Sequence, residues 1–241
     1  MIYCSIEEKG KVFNKVYKSE LEYVKETSQI TGRIVPYVKP SKIVGVGLNY
    51  HDHADEMKKT PPKEPMLFLK SPSSIISHDS NILIPNHMSS KVDYEGELGI
   101  IISKEARWVS TLESHKYILG GICINDITAR DLQKVDIQFG RGKNFDTFCP
   151  IGPYISDELD FQNLTIQTYV NGIIKQNSNT SYMIHKIDFL ISFISKIMTL
   201  LPGDMILTGT PGGVGQIIEN DEVSVKIDGL SQTKNKVQLS F

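Results

Sequence analysis

Apolar residues along this chain gather in short runs set off by turn-forming residues, a pattern that predicts many strands and few helices. Lys42 to Leu48 reads as a buried strand, PMLFLK as another that ends at Lys70, and NILIPN as a short third. The segment VDYEGELGIII runs from acidic residues into the apolar stretch Leu98 to Ile102. Ile118 to Ile124, in ILGGICIN, reads as a buried strand that delivers Asn125 and Asp126 at its end. LTIQTYVNGIIKQ predicts two strands joined by an Asn171-Gly172 turn. Ser181 to Leu201 is the clearest helix, since Ile184, Ile187, Leu190, Ile191, Ile194, Ile197 and Met198 recur at helical spacing. After LPGD, MILTGTPGGVG predicts a strand entering a glycine-rich loop, and the tail reads as two or three closing strands.

The first 40 residues read as a small β appendage, with Pro36 and Pro40 marking the exit into a main domain over residues 41–241. Within that domain Asn49 is placed to cap a short helix carrying His53 and Glu56. The polar, proline-rich stretch Lys58 to Pro65 follows directly and is a candidate lid.

Composition narrows the functional classes. At 241 residues, 40% hydrophobic and 22% charged, the chain has the makeup of a globular domain. Lys and Arg number 26 against 28 Asp and Glu, a balance that argues against binding nucleic acid by phosphate neutralisation. Three cysteines without C-x-x-C spacing suggest neither a disulfide framework nor a zinc ribbon. The N-terminus lacks the apolar run of a signal peptide, and Met183 to Leu201 is broken by His185, Lys186, Asp188 and Lys196, so no membrane span and a cytoplasmic location are expected.

The candidate chemistry centres on Glu95 and Glu97. Residues at i and i+2 of a strand share a face, and two adjacent carboxylates stay ionised together only around a cation; otherwise one takes up a proton. Asp126, at the end of the second apolar run, makes a plausible third ligand for a hard divalent ion with positions left for water or substrate. His53 and Glu56, three apart, would share a helix face, the carboxylate fixing the imidazole as a general base. His51 and His53 are an alternative pair of metal ligands on a strand, although nothing nearby completes a zinc motif. Arg130 and Gln133 would share a helix face within reach of a substrate carboxylate, and Lys143, in GRGKNFDTFCPIGP, would stabilise developing negative charge. Thr210 and the amides of its loop could cradle a carboxylate. Neither GVGLNY nor the TGTPGGVG loop completes a dinucleotide or P-loop fingerprint.

The segments GLNYHDHADEM, PMLFLKSPSS, VDYEGELG, INDITARDLQ, GRGKNFDTFCPIGP, VNG and LPGDMILTGTPGGVG together resemble the fumarylacetoacetate hydrolase family, from about residue 42 to the end. The resemblance implies a predominantly β fold, a mixed β-sandwich roll with few helices, usually dimeric, holding Mg²⁺ or Mn²⁺, with Ca²⁺ a structural substitute. By position Glu95, Glu97 and Asp126 match the metal ligands, Lys143 the lysine beside them, and His53 with Glu56 the water-activating dyad on a lid. Arg130, Gln133 and Thr210 match substrate contacts. The His-x-x-Glu pattern points away from fumarylacetoacetate itself. The expectation is a homodimeric enzyme acting on a small 2-oxo acid through an enolate, by hydrolytic carbon–carbon cleavage of an acylpyruvate-type substrate. The alternatives are oxaloacetate decarboxylation or tautomerisation, isomerisation of a 2-hydroxyhepta-2,4-diene-1,7-dioate-type substrate and, remotely, a non-catalytic metal-binding scaffold.

Overall fold

The computed structural model describes residues 1–30 and 32–240, and its architecture is predominantly β. A nine-stranded sheet forms the frame. Its central members are Gly96–Ile102 and Ile118–Asn125, paired antiparallel, with Met205–Leu207, Ile43–Gly47 and Met66–Lys70 following on one side. Both central strands are almost wholly buried, as their near-continuous apolar sequences require: one face belongs to a core with Leu98 and Ile100, the other to a core with Ile101, Ile122 and Ile124.

A second, five-stranded sheet of Ile173–Asn179, Thr165–Val170, Glu222–Ile227, Thr233–Leu239 and Ile82–Ile84 packs against the central pair, Ile166 and Ile227 joining Leu98 and Ile100 in one core. The Asn171-Gly172 turn is present, with φ of 52° and 75°, the positive values that a two-residue hairpin of primed type needs. The strands of the first 40 residues, Ile2–Glu8, Lys11–Tyr17 and Arg33–Val35, extend the nine-stranded sheet through Ile155–Ser156. Among the described residues no helix is long and apolar enough to cross a membrane.

Two expectations are corrected. The long helix runs only Ile187–Ile197, not from Ser181 to Leu201. Upstream, the Met183 backbone bridges to Tyr50 and the Ile184 amide donates to the Asn49 carbonyl. Downstream, Met198 is extended and Leu200 pairs with Ala106, so both ends exchange helical bonds for sheet-like ones. The helix carrying His53 is His51–Glu56, and Tyr50 is its cap residue. Asn49 is buried and serves a different purpose: its amide donates to the His185 and Thr208 carbonyls while its oxygen accepts the His185 amide, tying three segments together.

Candidate active site

Antiparallel register builds the carboxylate cluster. Glu97 faces Ile124 and Gly96 faces Asn125, so the residue after Asn125, Asp126, arrives beside Glu95. The Asp126 amide donates to the Glu95 carbonyl at 2.8 Å, and the Asn125 side chain accepts the Glu95 amide at 3.0 Å. Glu95 itself lies between two strands, Val92–Tyr94 and Gly96–Ile102. Gly96, between the two glutamates, faces the second sheet so closely that a Cβ there would sit 2.1 Å from Thr168 Oγ1. That contact fixes which way the flanking carboxylates turn. Glu95, Glu97 and Asp126 are all buried, and each offers an oxygen within 4.8 Å of the others.

Three cations surround them. Lys143, from the short helix Gly140–Lys143, donates to Glu95 Oε2 at 2.6 Å and Asp126 Oδ2 at 2.5 Å, its ammonium also 4.7 Å above the Phe68 ring. Lys70, fully buried at the end of Met66–Lys70, lies 2.7 Å from the other Asp126 oxygen as an ion pair and donates to the Lys143 carbonyl at 2.6 Å. Arg130 donates to Asp93 at 2.9 Å, to Gln133 at 2.6 Å, and to Glu95. Thus, among the described residues, Asp93, Glu95, Glu97 and Asp126 confront only Lys70, Arg130 and Lys143.

The surplus negative charge falls on Glu97. Its only donor bond among the described residues is from the Gly209 amide, at 2.7 Å, where φ is +99° and a Cβ would crowd Asn49. Burial, with the Asp126 and Glu95 charges added, pushes the Glu97 carboxyl well above its ordinary value. Burial also opposes ionisation of Glu95, but Lys143 and Arg130 outweigh it and hold that carboxyl below the usual range. Burial likewise works against the Lys143 ammonium, and Asp126 and Glu95 reverse the effect. A proton on Glu97 or a divalent cation among the three acids would relieve the imbalance. An all-oxygen donor set of this kind fits Mg²⁺ or Mn²⁺.

The helix His51–Glu56 stands at the wall of this cluster. His53 Nδ1 lies 3.4 Å from Glu56 Oε2, which accepts the Gly213 amide at 3.0 Å. Asp52 accepts the Ser178 hydroxyl at 2.5 Å, fastening the helix to the Ile173–Asn179 strand. The His51/His53 ligand alternative fails, because both lie on a helix and the acids that converge are Glu95, Glu97 and Asp126. The following stretch docks through Pro62, whose carbonyl accepts from His185 Nε2 at 3.1 Å.

Two adjoining compartments result. The inner, about 110 Å³, is bounded by Glu95, Glu97, Lys143, Thr210, Phe68 and His53; the outer, about 450 Å³, shares His53, Arg130, Gln133 and Phe139 with it. The structure therefore brings all nine sequence-predicted residues to one place, Glu56 on the outer side. Thr210 is committed to scaffolding as well, donating to the Gly96 carbonyl and accepting from Gln176. Lys70 and Asp93 were not singled out from the sequence. The signal for Lys70 was a lysine closing the apolar run MLFL, a place where only a paired charge survives burial; Asp93 carried none.

Comparison with known proteins identifies the family. Residues 42–238 match the family described as fumarylacetoacetate (FAA) hydrolase C-terminal. The chain is 49% identical to an uncharacterised protein of Archaeoglobus fulgidus over 203 residues, 84% of this chain and 81% of that protein. It is 40% identical to an oxaloacetate tautomerase of Bacillus subtilis over 215 residues, 84% of this chain and 71% of the relative. Among solved structures, 2-hydroxyhepta-2,4-diene-1,7-dioate isomerase of Mycobacterium marinum superposes with TM-score 0.89 at 35% identity, covering 100% of this chain and 99% of that one. Fumarylpyruvate hydrolase of Pseudomonas aeruginosa, solved with Mn²⁺ and pyruvate, gives 0.78 at 29% identity over 86% and 92%. On the match over residues 42–238 and these identities, the chain belongs to the fumarylacetoacetate hydrolase family.

Proposed function

We propose that this protein is a divalent-metal-dependent enzyme that cleaves a carbon–carbon bond of an acylpyruvate-type 2-oxo acid by hydrolysis. The observation that carries the reading is the convergence of Glu95, Glu97 and Asp126, the two glutamates lining a cavity whose wall holds His53. Held by those three carboxylates, Mg²⁺ or Mn²⁺ would supply Lewis acidity to the carboxylate and 2-oxo oxygens of the substrate. The relative solved with Mn²⁺ and pyruvate supports this.

The rest is the work of the chain's own side chains. Lys143 adds a fixed positive charge where the 2-oxo oxygen gains negative charge, in a site screened from water. Arg130 and Gln133, bonded to each other, present a preformed donor pair to the substrate's carboxylate end. His53, its Nδ1 turned to Glu56, has Nε2 to take a proton from water as the water oxygen bonds to the distal carbonyl carbon. The bond between that carbon and its neighbour then breaks, the electron pair leaves with the pyruvate portion as an enolate, and a proton returned to the neighbour, the terminal carbon of the enolate, gives pyruvate while the distal carbon leaves as a carboxylic acid. Tautomerisation needs only the proton transfer, and the Bacillus subtilis relative supports that second reading.

The test follows the ultraviolet absorbance of the acetylpyruvate enol with chelator-stripped protein before and after Mg²⁺ or Mn²⁺, with oxaloacetate in parallel. Metal-dependent loss of the signal, with pyruvate and acetate formed one to one, is the expected result. Turnover of oxaloacetate alone moves the reaction to tautomerisation or decarboxylation. Equal rates with and without metal would overturn the reading.

A further inference from the structure

The helix that carries His53 is too short to hold itself in place. It spans six residues, His51–Glu56, and its cap residue Tyr50 makes no side-chain cap bond, so bonds to the rest of the chain set where it lies. Asp52, half-buried, reaches two other segments. One of its oxygens accepts the Ser178 hydroxyl at 2.5 Å; the other accepts the His53 amide at 2.8 Å and the Gly212 amide at 3.4 Å. Asp52 lines neither compartment, and the reaction just described does not use it. Glu56, by contrast, has a side chain 46% exposed, where its pairing with His53 is weak and screened.

Gly212 belongs to a strip of backbone whose other end meets the carboxylate cluster. Five consecutive residues are each bonded: Gly209 donates its amide to Glu97, Thr210 its hydroxyl to the Gly96 carbonyl, Pro211 accepts from the Gln176 side chain, and Gly212 and Gly213 donate to Asp52 and Glu56. Gly209 and Gly213 take φ of +99° and +94°, and a Cβ on Gly213 would lie 2.3 Å from the Lys175 carbonyl, so the strip has little room to shift. Gln176 and Ser178, two apart on the strand Ile173–Asn179, share a face and hold the strip and Asp52 from one side.

We infer that Asp52 is a positioning residue that couples the His53 helix to the carboxylate cluster. It docks the helix on a strip whose far end aims the Gly209 amide at Glu97, so that docking of the helix and filling of the cluster favour each other. The inference rests on the reading of Glu95, Glu97 and Asp126 as the metal site and gives Asp52 the role of keeping His53 beside it. Coupling is reciprocal, so loss of this anchor weakens metal binding although Asp52 bonds to none of the three acids.

Two readouts need no turnover: Mn²⁺ titration, and hydrogen exchange at the Ala54 and Met57 amides, which donate to the Tyr50 and His53 carbonyls and report the helix. In the native protein saturating Mg²⁺ should slow that exchange by about fivefold, the low end of ordinary coupling between sites. Asp52→Ala should bind Mn²⁺ about fivefold more weakly and lose the response to Mg²⁺. Ser178→Ala cuts the same bond more mildly, so it keeps the test open should Asp52→Ala not fold; it should weaken Mn²⁺ binding in the same direction and add nothing to Asp52→Ala in the double variant. Asp52→Asn removes the charge and keeps a side chain that can bond to Ser178 and Gly212, and it should stay within about twofold of native, as should Asp55→Asn, exposed on the same helix. Native exchange indifferent to Mg²⁺, Asp52→Ala and Ser178→Ala binding Mn²⁺ as the native protein does, or Asp52→Asn as impaired as Asp52→Ala would each overturn the inference. Turnover of acetylpyruvate with Mn²⁺ bound alike by all variants would fail this inference alone; the expected coupling without turnover would fail only the assigned reaction.

Discussion

Replacing Lys143 with methionine tests the charge balance that defines the site. The ammonium bridges Glu95 and Asp126 at 2.6 and 2.5 Å with its side chain 3% exposed, and methionine keeps its bulk against Phe68 while removing the charge. Breaking a buried ion pair from one side costs about 3–5 kcal/mol, because a charge is left uncompensated. Here Asp126 keeps Lys70 and Glu95 keeps Arg130, so the loss belongs at the lower end, about 3 kcal/mol. For a chain of this size that lowers Tm by about 6–12 °C.

The pH dependence has a definite sign. The carboxyl of Glu95 is held below its ordinary value of 4.5, so its contribution is present above that value and is lost as pH falls through the lowered one. The Lys143 ammonium is raised above 10.5 and stays charged throughout the neutral range. The gap between native and Lys143→Met is therefore fully open at neutral pH and closes in acid. A divalent cation substitutes for the lost charge, so the gap measured by scanning calorimetry should narrow by at least half when chelator is replaced with saturating Mg²⁺. A variant as stable as the native protein in chelator, or a gap indifferent to Mg²⁺, would refute the reasoning.

Other outcomes follow from the same geometry. Gly96→Ala drives a methyl group to 2.1 Å from Thr168 Oγ1 and should destabilise by about 2–3 kcal/mol in urea unfolding, with metal affinity falling as the flanking glutamates turn. Glu97 is raised above its ordinary value in the metal-free protein, so it gives up a proton when metal binds. Over the range where it holds that proton, apparent affinity should rise about tenfold per pH unit, and calorimetry in buffers of different ionisation enthalpy should record about one proton released. His53→Ala should lower acetylpyruvate hydrolysis by about 10²–10⁴-fold while leaving metal binding intact, a split read by steady-state kinetics and Mn²⁺ titration.

Much of the site was legible in the sequence because it sits at strand ends, where apolar runs announce the element and the first polar residue announces its exit. Glu97 stands at the entry of one apolar run and Asp126 just past the end of another, and the carboxylates are adjacent because Ile124 pairs with Glu97. Local turn chemistry made Asn171-Gly172 equally plain. What the sequence hid was decided by partners distant in the chain. Helical periodicity from Ser181 to Leu201 is real, yet Met183 and Leu200 are claimed by Tyr50 and Ala106, more than ninety residues away in each case. Asn49 has the identity of a cap but spends its side chain on His185 and Thr208. Lys70 is silent until Asp126 is placed beside it, and Arg130, which lines the cavity, also holds Asp93 and Glu95 in position.

The central claim, that Glu95, Glu97 and Asp126 hold one catalytic divalent ion, is tested most directly by Mn²⁺ titration followed by electron paramagnetic resonance, since the free aquo ion's signal fades on binding. The account predicts one Mn²⁺ per native chain, displaced by Mg²⁺, and at least about 100-fold weaker binding in Glu97→Gln, above the 10–100-fold typical of outer-sphere losses. Circular dichroism of Glu97→Gln should be unchanged. Binding by folded Glu97→Gln as tight as that of the native protein would contradict the account.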